Sequence, residues 1–257
     1  MHSIHLYTAS ESHLPNVTAP LAAERAIEIT SALIDLARIE NKVPTTQARP
    51  TICFDEWNVW DPLRAVGSEG AEERYTLSDA LAVGVWLNVF VRQSRDVGMA
   101  CIAQSVNVIS PLMTTKEGIV KQTTWWPLWL FSKYMRGWTV GAHVSCGVYE
   151  GETQPVWLRG GTREIPWLDV SASVDEVTGW VSVVVVNAHE EKGFETRVEG
   201  VEGVGKVEVY TVTGENVKVT NMEKDGKQRV ELRESSWDGK GNYTFPKHSL
   251  TMLRWKI

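Results

Sequence analysis

Thr51-Ile52-Cys53-Phe54-Asp55-Glu56-Trp57-Asn58-Val59-Trp60 opens as a short apolar strand and then sets two carboxylates, an amide and two indoles side by side. Asp and Glu are depleted in strands, and charged side chains are almost never fully buried without a partner. A strand that only packs does not end this way. Neighbouring residues on a strand point to opposite faces, so alternation predicts that one carboxylate looks into a site while the other braces the scaffold. Glu56 is the candidate catalytic carboxylate. Asp55, of opposite parity, is read as a structural partner for an arginine or for backbone amides.

Working outward, Ser3–Thr8 reads as a strand, with Ser3, His5 and Tyr7 on one face and Ile4, Leu6 and Thr8 on the other. A loop rich in Ser, Pro and Asn follows. A helix is predicted from about Leu21 to Asn41, with Pro20 at its start and an apolar stripe of Ala22, Ala26, Ile29, Leu33 and Leu36. Downstream of the acidic strand, residues 61–76 have loop composition, in the position of a functional loop. Leu77–Arg95 reads as a helix that is apolar nearly all round, hence buried between a sheet and a second layer. Met99–Val108 reads as a third strand, with Ile102, Gln104 and Val106 on one face, and about Trp125–Arg136 as a further helix. Strand and helix alternate three times, the signature of a parallel sheet. Tyr7, Glu56 and Gln104 lie toward the carboxyl ends of their strands, the edge at which parallel α/β enzymes bind ligands. Parity turns His5, Tyr7, Glu56 and Gln104 toward one interior.

Past residue 137 the pattern changes. Val140–Tyr149, Trp167–Val174, Trp180–Ala188, Thr196–Val201, Lys206–Val212, Asn216–Thr220, Gln228–Leu232 and Tyr243–Ile257 read as strands, divided by turn signals such as Asp238-Gly239. An antiparallel β-sandwich of roughly eight strands is expected. The expected division is 1–137, an α/β region, and 138–257, a β-sandwich. Three β/α units cannot close a barrel, and a three-stranded parallel sheet leaves two bare edges. The first region is therefore either a small open α/β layer or the back part of a larger barrel; a strand beginning at residue 3 favours the second.

Composition excludes several function classes. The net charge is −6, from 26 basic and 32 acidic residues with no Lys/Arg block, which argues against a nucleic-acid or anionic-membrane partner. No apolar run approaches the roughly 20 residues of a membrane span, and no signal-peptide pattern opens the chain. Cys53, Cys101 and Cys146 are odd in number and two lie in apolar strands, so free thiols and a cytoplasmic protein are expected. The sequons Asn16-Val17-Thr18 and Asn242-Tyr243-Thr244 leave a secreted origin open. No His, Cys or carboxylate cluster has metal-ligand spacing. The 12 Trp offer platforms for flat ligands such as sugar rings, or core. Trp57 and Trp60 fit either; Trp125-Trp126 read as core or domain interface.

Phe54-Asp55-Glu56-Trp57-Asn58-Val59-Trp60 resembles the nucleophile strand of the α-L-arabinofuranosidases of glycoside hydrolase family 51. Ser3-Ile4-His5-Leu6-Tyr7 resembles that family's His-x-Tyr strand, the sixth of its (β/α)8 barrel. Ala103-Gln104-Ser105-Val106-Asn107-Val108-Ile109 resembles the eighth strand, and the trailing strands the jelly-roll-like C-terminal domain. The resemblance implies the C-terminal part of a TIM barrel followed by an antiparallel jelly-roll-like β-sandwich. It implies a retaining hydrolase, without cofactor, that removes terminal non-reducing α-L-arabinofuranosyl groups from arabinan, arabinoxylan or their oligosaccharides. Glu56 would be the nucleophile, Tyr7 would aim it, Gln104 and the two indoles Trp57 and Trp60 would bind sugar, and His5 and Asn58 would support the site from behind.

Retention needs a second carboxyl group about 5–5.5 Å from the first. In the family it follows an Asn upstream of anything present here, and no Asn-Glu dipeptide occurs in these 257 residues. Asp61 also departs from the Tyr that family members often carry after the Trp. The expectation is that the N-terminal half of the barrel comes from a separate, nicked or split chain, in what is often a homo-oligomer. Two other readings stand beside it: a catalytically incomplete carbohydrate-binding fragment, and an endo-β-glucanase specificity on the same barrel.

Overall fold

The computed structural model describes residues 1–60, 71–151, 164–201, 203–222 and 225–257. Most of the loop expected at 61–76, including Asp61, lies outside them. The first part is built from β1 (His2–Thr8), α1 (His13–Thr18), α2 (Leu21–Glu40), β2 (Ile52–Val59), α3 (Leu77–Arg92) and β3 (Val97–Ile102). The three strands form a parallel sheet in the order β1-β2-β3. Thr76 starts α3 with a capping box: its hydroxyl accepts from the Asp79 N–H while the Asp79 carboxylate accepts from the Thr76 N–H. The next two N–H groups, of Leu77 and Ser78, donate to the carbonyls of Val219 and Val217. Asn216–Thr220, expected as a strand, is therefore a strap over the α3 N-terminus, recruited by donors that no helical carbonyl can satisfy.

The all-round apolarity of α3 has the cause that its sequence predicts. Ala82, Val83, Trp86 and Val89 pack with Ile52, Phe54 and Trp57 of the parallel sheet. Leu77, Ala80, Leu81 and Val85 pack with Val184, Val186, Leu250 and Met252 of the C-terminal part. Two core clusters thus meet on opposite sides of α3, one with the parallel sheet and one shared with the region beyond residue 137.

Helix α2 behaves differently. Its buried face is Ala22, Ala23 and Ile27, while Ile29, Leu33, Leu36 and Ile39 are 48, 58, 50 and 75% exposed. Most of the stripe that periodicity singled out has no cover among the described residues, and neither do the outer edges of β1 and β3. The Ser/Pro/Asn-rich loop contains α1, which carries Asn16 inward. Asn16 is 1% exposed and donates to Ser78 Oγ and Asp79 Oδ1, so its sequon is spent on the scaffold.

β3 stops at Ile102 rather than running to Val108. Farther on, Asn107 and Ile109 adopt positive φ angles of 67° and 38°, which no continuous strand through them could hold. The Asn107 side chain bonds Thr114 of a hairpin, β4 (Leu112–Thr115) and β5 (Gly118–Lys121). The alternation of Ser105 to Ile109 imitates a strand without forming one. α4 (Trp125–Tyr134) follows, and the Trp126 indole donates to the Val230 carbonyl, an interface role as expected.

The C-terminal strands are β6 (Trp138–Val140), β7 (Val148–Tyr149), β8 (Ile165–Pro166), β9 (Leu168–Asp175), β10 (Trp180–Asn187), β11 (Phe194–Arg197), β12 (Val207–Thr213), β13 (Glu231–Trp237), β14 (Asn242–Phe245) and β15 (Ser249–Lys256). One six-stranded antiparallel sheet, β13-β12-β15-β10-β9-β6, carries most of the fold. β11-β14 and β7-β8 are small two-stranded sheets, and Val185, Val207, Val209 and Leu253 of the large sheet pack with Phe245 of β14. The sandwich is lopsided, since helices α1, α3 and α4 cover the large sheet's other face. Val140–Tyr149 and Tyr243–Ile257, each read as one strand, are two strands apiece.

Gly84 marks the closest approach of α3 to that sheet. A Cβ there would lie 2.6 Å from Leu250 Cδ1 and 3.0 Å from Val186 Cγ2, both on fully buried side chains. Gly84→Val gains about half a kcal/mol of helix propensity but overpacks the shared core at a cost of about 1–3 kcal/mol. A lowered denaturant midpoint at unchanged m-value is the expected outcome.

Candidate active site

Between two fixed points β2 carries one residue more than either neighbour. Phe54 pairs with Ile4 and Ala100, and Trp57 with Leu6 and Ile102. Asp55 and Glu56 fill the interval that His5 alone fills on β1 and Cys101 alone on β3. This is a β-bulge, two residues opposing one, and such bulges re-aim side chains beside active sites. Its effect is visible on both faces. Phe54 and Trp57 both enter the helix-facing core despite their odd spacing. Asp55 and Glu56 both turn to the opposite face, where β1, in strict alternation, presents Ser3, His5 and Tyr7. The expectation that the carboxylates separate by parity fails here, because the inserted residue resets the alternation.

Tyr7 Oη donates to Glu56 Oε2 at 2.8 Å. Burial first, and then the hydrogen bond and charge of Glu56, push the Tyr7 phenol up to about 12. It therefore remains a protonated donor throughout the ordinary pH range. Trp60 stands edge-on to Tyr7, with ring centroids 5.3 Å apart at 75°, and its buried indole N–H has no partner among the described residues.

Among the described residues Asp55 is bonded to neither an arginine nor the backbone of another strand. The Ser3 hydroxyl donates to Asp55 Oδ2, and His5 Nδ1 stands 3.6 Å from Oδ1. The Ser3 hydrogen bond, seconded by His5, holds the Asp55 carboxyl below the usual carboxylate range. Oδ1 itself is closed off from solvent and has no hydrogen-bond partner among the described residues, since 3.6 Å to His5 Nδ1 is too long for one. His5, expected behind Glu56, thus faces Asp55. Ser3 joins the cluster although sequence reasoning gave it no role; its shared parity with His5 and Tyr7 was the available signal.

Asn58 is buried, and its amide donates to the carbonyls of Ala103 and Ile109 while its Oδ1 accepts from the Val59 N–H. It fastens the loop that leaves β3 to the end of β2. That loop carries Gln104, which is exposed, lies beyond the strand, and has no side-chain partner among the described residues. Gln104 thus follows β3 at the level of the β2 carboxyl end, although not at a strand position. Trp57 is a correction of a different kind. It is 2% exposed and packs on Trp86 and Phe90, on the far side of the sheet from Glu56. Among the described residues no group of three His, Cys, Asp or Glu could hold a metal ion, and no helix is long and apolar enough to cross a membrane.

The family model of the α-L-arabinofuranosidase C-terminal domain matches residues 55–249, the bulged carboxylates included. The chain belongs to the α-L-arabinofuranosidases of glycoside hydrolase family 51. It is 73% identical over 256 residues to α-L-arabinofuranosidase C of Emericella nidulans, a match that covers 100% of this chain and 50% of the relative. It is 31% identical over 191 residues to the intracellular exo-α-(1→5)-L-arabinofuranosidase of Halalkalibacterium halodurans, covering 70% of this chain and 36% of that one. The α-L-arabinofuranosidase of Thermotoga maritima, solved as an arabinose complex, superimposes with a TM-score of 0.84 at 26% identity, over 99% of this chain and 52% of its own. The chain spans half the length of the curated arabinofuranosidases that it matches most fully. Its fold is the C-terminal part of the family's (β/α)8 barrel with the β-sandwich that follows.

Asn58 supplies a test of the local geometry. Asn58→Ala leaves two carbonyls without their donor and costs about 1–3 kcal/mol, read as a lowered denaturant midpoint. Hydrogen exchange should rise between residues 103 and 109, starting with the Ile109 amide, whose N–H bonds Ala71.

Proposed function

We propose that this chain is the nucleophile-bearing half of a retaining glycosidase that removes terminal non-reducing α-L-arabinofuranosyl groups from arabinan, arabinoxylan or their oligosaccharides. The observation that carries the reading is the Tyr7–Glu56 hydrogen bond at the carboxyl edge of a parallel sheet. Glu56 Oε1 or Oε2 attacks the anomeric carbon as that carbon's bond to the glycosidic oxygen breaks, forming a covalent arabinosyl-enzyme. The oxygen leaves with a proton from the acid/base, which then takes one from the water that hydrolyses the arabinosyl-enzyme and frees Glu56. Tyr7, a donor that does not ionise near neutral pH, fixes the direction of attack. Trp60 and Gln104 flank the sugar on either side of Glu56. The names of the fungal and bacterial relatives support the activity and the substrate class.

The second carboxyl group is not Asp55. A general acid must hold its proton near neutral pH, whereas Asp55 is pushed the other way by Ser3 and His5. The acid/base comes from an N-terminal half of the barrel, whether joined to this chain or carried by a separate one. The bare stripe of α2 and the open outer edges of β1 and β3 support that placement, since a completed barrel covers all three.

Glu56→Gln in the barrel-complete enzyme should lower turnover of an aryl α-L-arabinofuranoside by at least about 10³-fold, while undiminished turnover removes Glu56 from the chemistry. The 257-residue chain alone, lacking its general acid, should run slower than the complete barrel by at least about 10²–10⁴-fold. Equal rates would show that both carboxylates lie within this chain.

A further inference from the structure

The β2 bulge solves one problem and creates another. Burying Phe54 and Trp57 on the same side forces an extra residue into the strand, but that residue is left out of the ladder and free to swing. A swing at residue 55 is transmitted through one peptide unit to Glu56, the side chain whose direction matters. Asp55 is tied down instead. Its Oδ2 accepts from the Ser3 hydroxyl on β1, and its Oδ1 faces His5 Nδ1 on the same strand at 3.6 Å. The next residue of that β1 face, Tyr7, bonds Glu56. Ser3, His5 and Tyr7 therefore hold the two bulge residues from a single row of side chains spaced two apart.

We propose that Asp55 is a positioning residue: its carboxylate, bonded to Ser3 and facing His5, fixes the bulge so that Glu56 meets Tyr7 and the anomeric carbon in one geometry. The inference rests on the reading of Glu56 as nucleophile and extends it to three residues that touch no substrate. Burial of Phe54 and Trp57 keeps the bulge in being without Asp55, so the carboxylate's contribution is to aim and not to fold. Oδ1 is closed off from solvent and finds no hydrogen-bond partner among the described residues, so the Ser3 hydroxyl is the bond that ties Asp55 down there. The Ser3 hydrogen bond and the nearby His5 lower the Asp55 carboxyl and so favour the charged form that makes both contacts.

The test compares Asp55→Ala, Asp55→Asn, Ser3→Ala and the Ser3→Ala/Asp55→Ala double variant in the barrel-complete enzyme, with Glu56→Gln as control. Misplacing a reacting group by about 1 Å costs on the order of 10²-fold. Asp55→Ala should therefore lower kcat on an aryl α-L-arabinofuranoside about 10–100-fold with KM within about threefold. Labelling of Glu56 by an arabinofuranose-configured epoxide should slow in proportion. Asp55→Asn, which keeps an acceptor for Ser3, should retain more activity than Asp55→Ala. The double variant should be no worse than Asp55→Ala, because the two residues act through one contact.

A kcat within threefold of wild type for Asp55→Ala, with Glu56→Gln inactive, overturns the positioning role and leaves the nucleophile standing. Activity in Glu56→Gln overturns the nucleophile, and the positioning role with it. If Asp55→Ala does not fold, Ser3→Ala, which removes the same hydrogen bond, decides: a fall of threefold or more in kcat at unchanged KM supports the proposal, and any smaller change overturns it.

Discussion

β2 must bury two large aromatic side chains, Phe54 and Trp57, on one face although they stand three positions apart. Regular alternation would leave one of them on the open face and drive Glu56 into an apolar layer in its place. Burying one such aromatic side chain contributes about 1.5–3 kcal/mol, and an unpaired carboxylate in that layer costs several more. A bulge forfeits a ladder hydrogen bond worth about 0.5–1.5 kcal/mol. The bulge wins by a wide margin. The direction of both carboxylates follows from that balance and needs no separate device to create it.

The layer behind the bulge makes its position stiff. Phe54 and Trp57 touch Trp86 and Phe90 of α3 in a set of edge-on and tilted ring pairs with centroids 5.1–5.6 Å apart. α3 in turn is packed on its other side by β10 and β15, and its first N–H groups are satisfied by the 217–219 strap. The C-terminal strands thus do more than follow the α/β part along the chain. They close the far side of the helix on which the carboxylate strand rests. Side chains mounted on a strand that is packed two layers deep hold their geometry better than side chains on a loop.

Periodicity exposed the coarse fold because burial there is one-sided or complete. α3 reads as buried all round and is; β1 alternates and does; the order of the longer strands and helices in the first hundred residues is legible from apolar spacing, while the short α1, inside a segment of loop composition, is not. What periodicity could not register is any inserted residue. A bulge leaves no mark on composition, and its one trace is the odd spacing of Phe54 and Trp57, which alternation assigns to opposite faces. The same blindness extended β3 to Val108: the chain leaves the sheet after Ile102, where the Asn58 amide donates to the Ala103 carbonyl, yet Ser105-Val106-Asn107-Val108-Ile109 keeps a strand's alternation. At Asn216–Thr220 the reason is tertiary. The segment has strand composition, and orphan donors of a helix far away in sequence claim its carbonyls. Resemblance to a family supplied what spacing could not, the pairing of Tyr7 with Glu56, because a motif records the outcome of a bulge without revealing it.

Two adjacent carboxylates on one face are ordinarily a poor arrangement, since each raises the cost of ionising the other. The neighbouring strand relieves it unequally. Asp55 receives a hydroxyl and an imidazole, which hold it charged; Glu56 receives a phenol whose own proton is held more tightly than usual. One carboxylate is committed to the scaffold and the other keeps an oxygen directed outward. On the proposed function, this asymmetry also bears on where a general acid would come from. A carboxyl group that donates a proton near neutral pH needs an environment that disfavours charge, an apolar wall or an uncompensated neighbouring carboxylate. Asp55 has neither, for its neighbours are chosen to keep it ionised. The surfaces able to supply such an environment lie across the open edges of β1 and β3, on whatever layer meets them. On the proposed reading of Glu56 as nucleophile, the bulge that makes it available also disqualifies its nearest carboxylate as the acid, which must then stand on another layer.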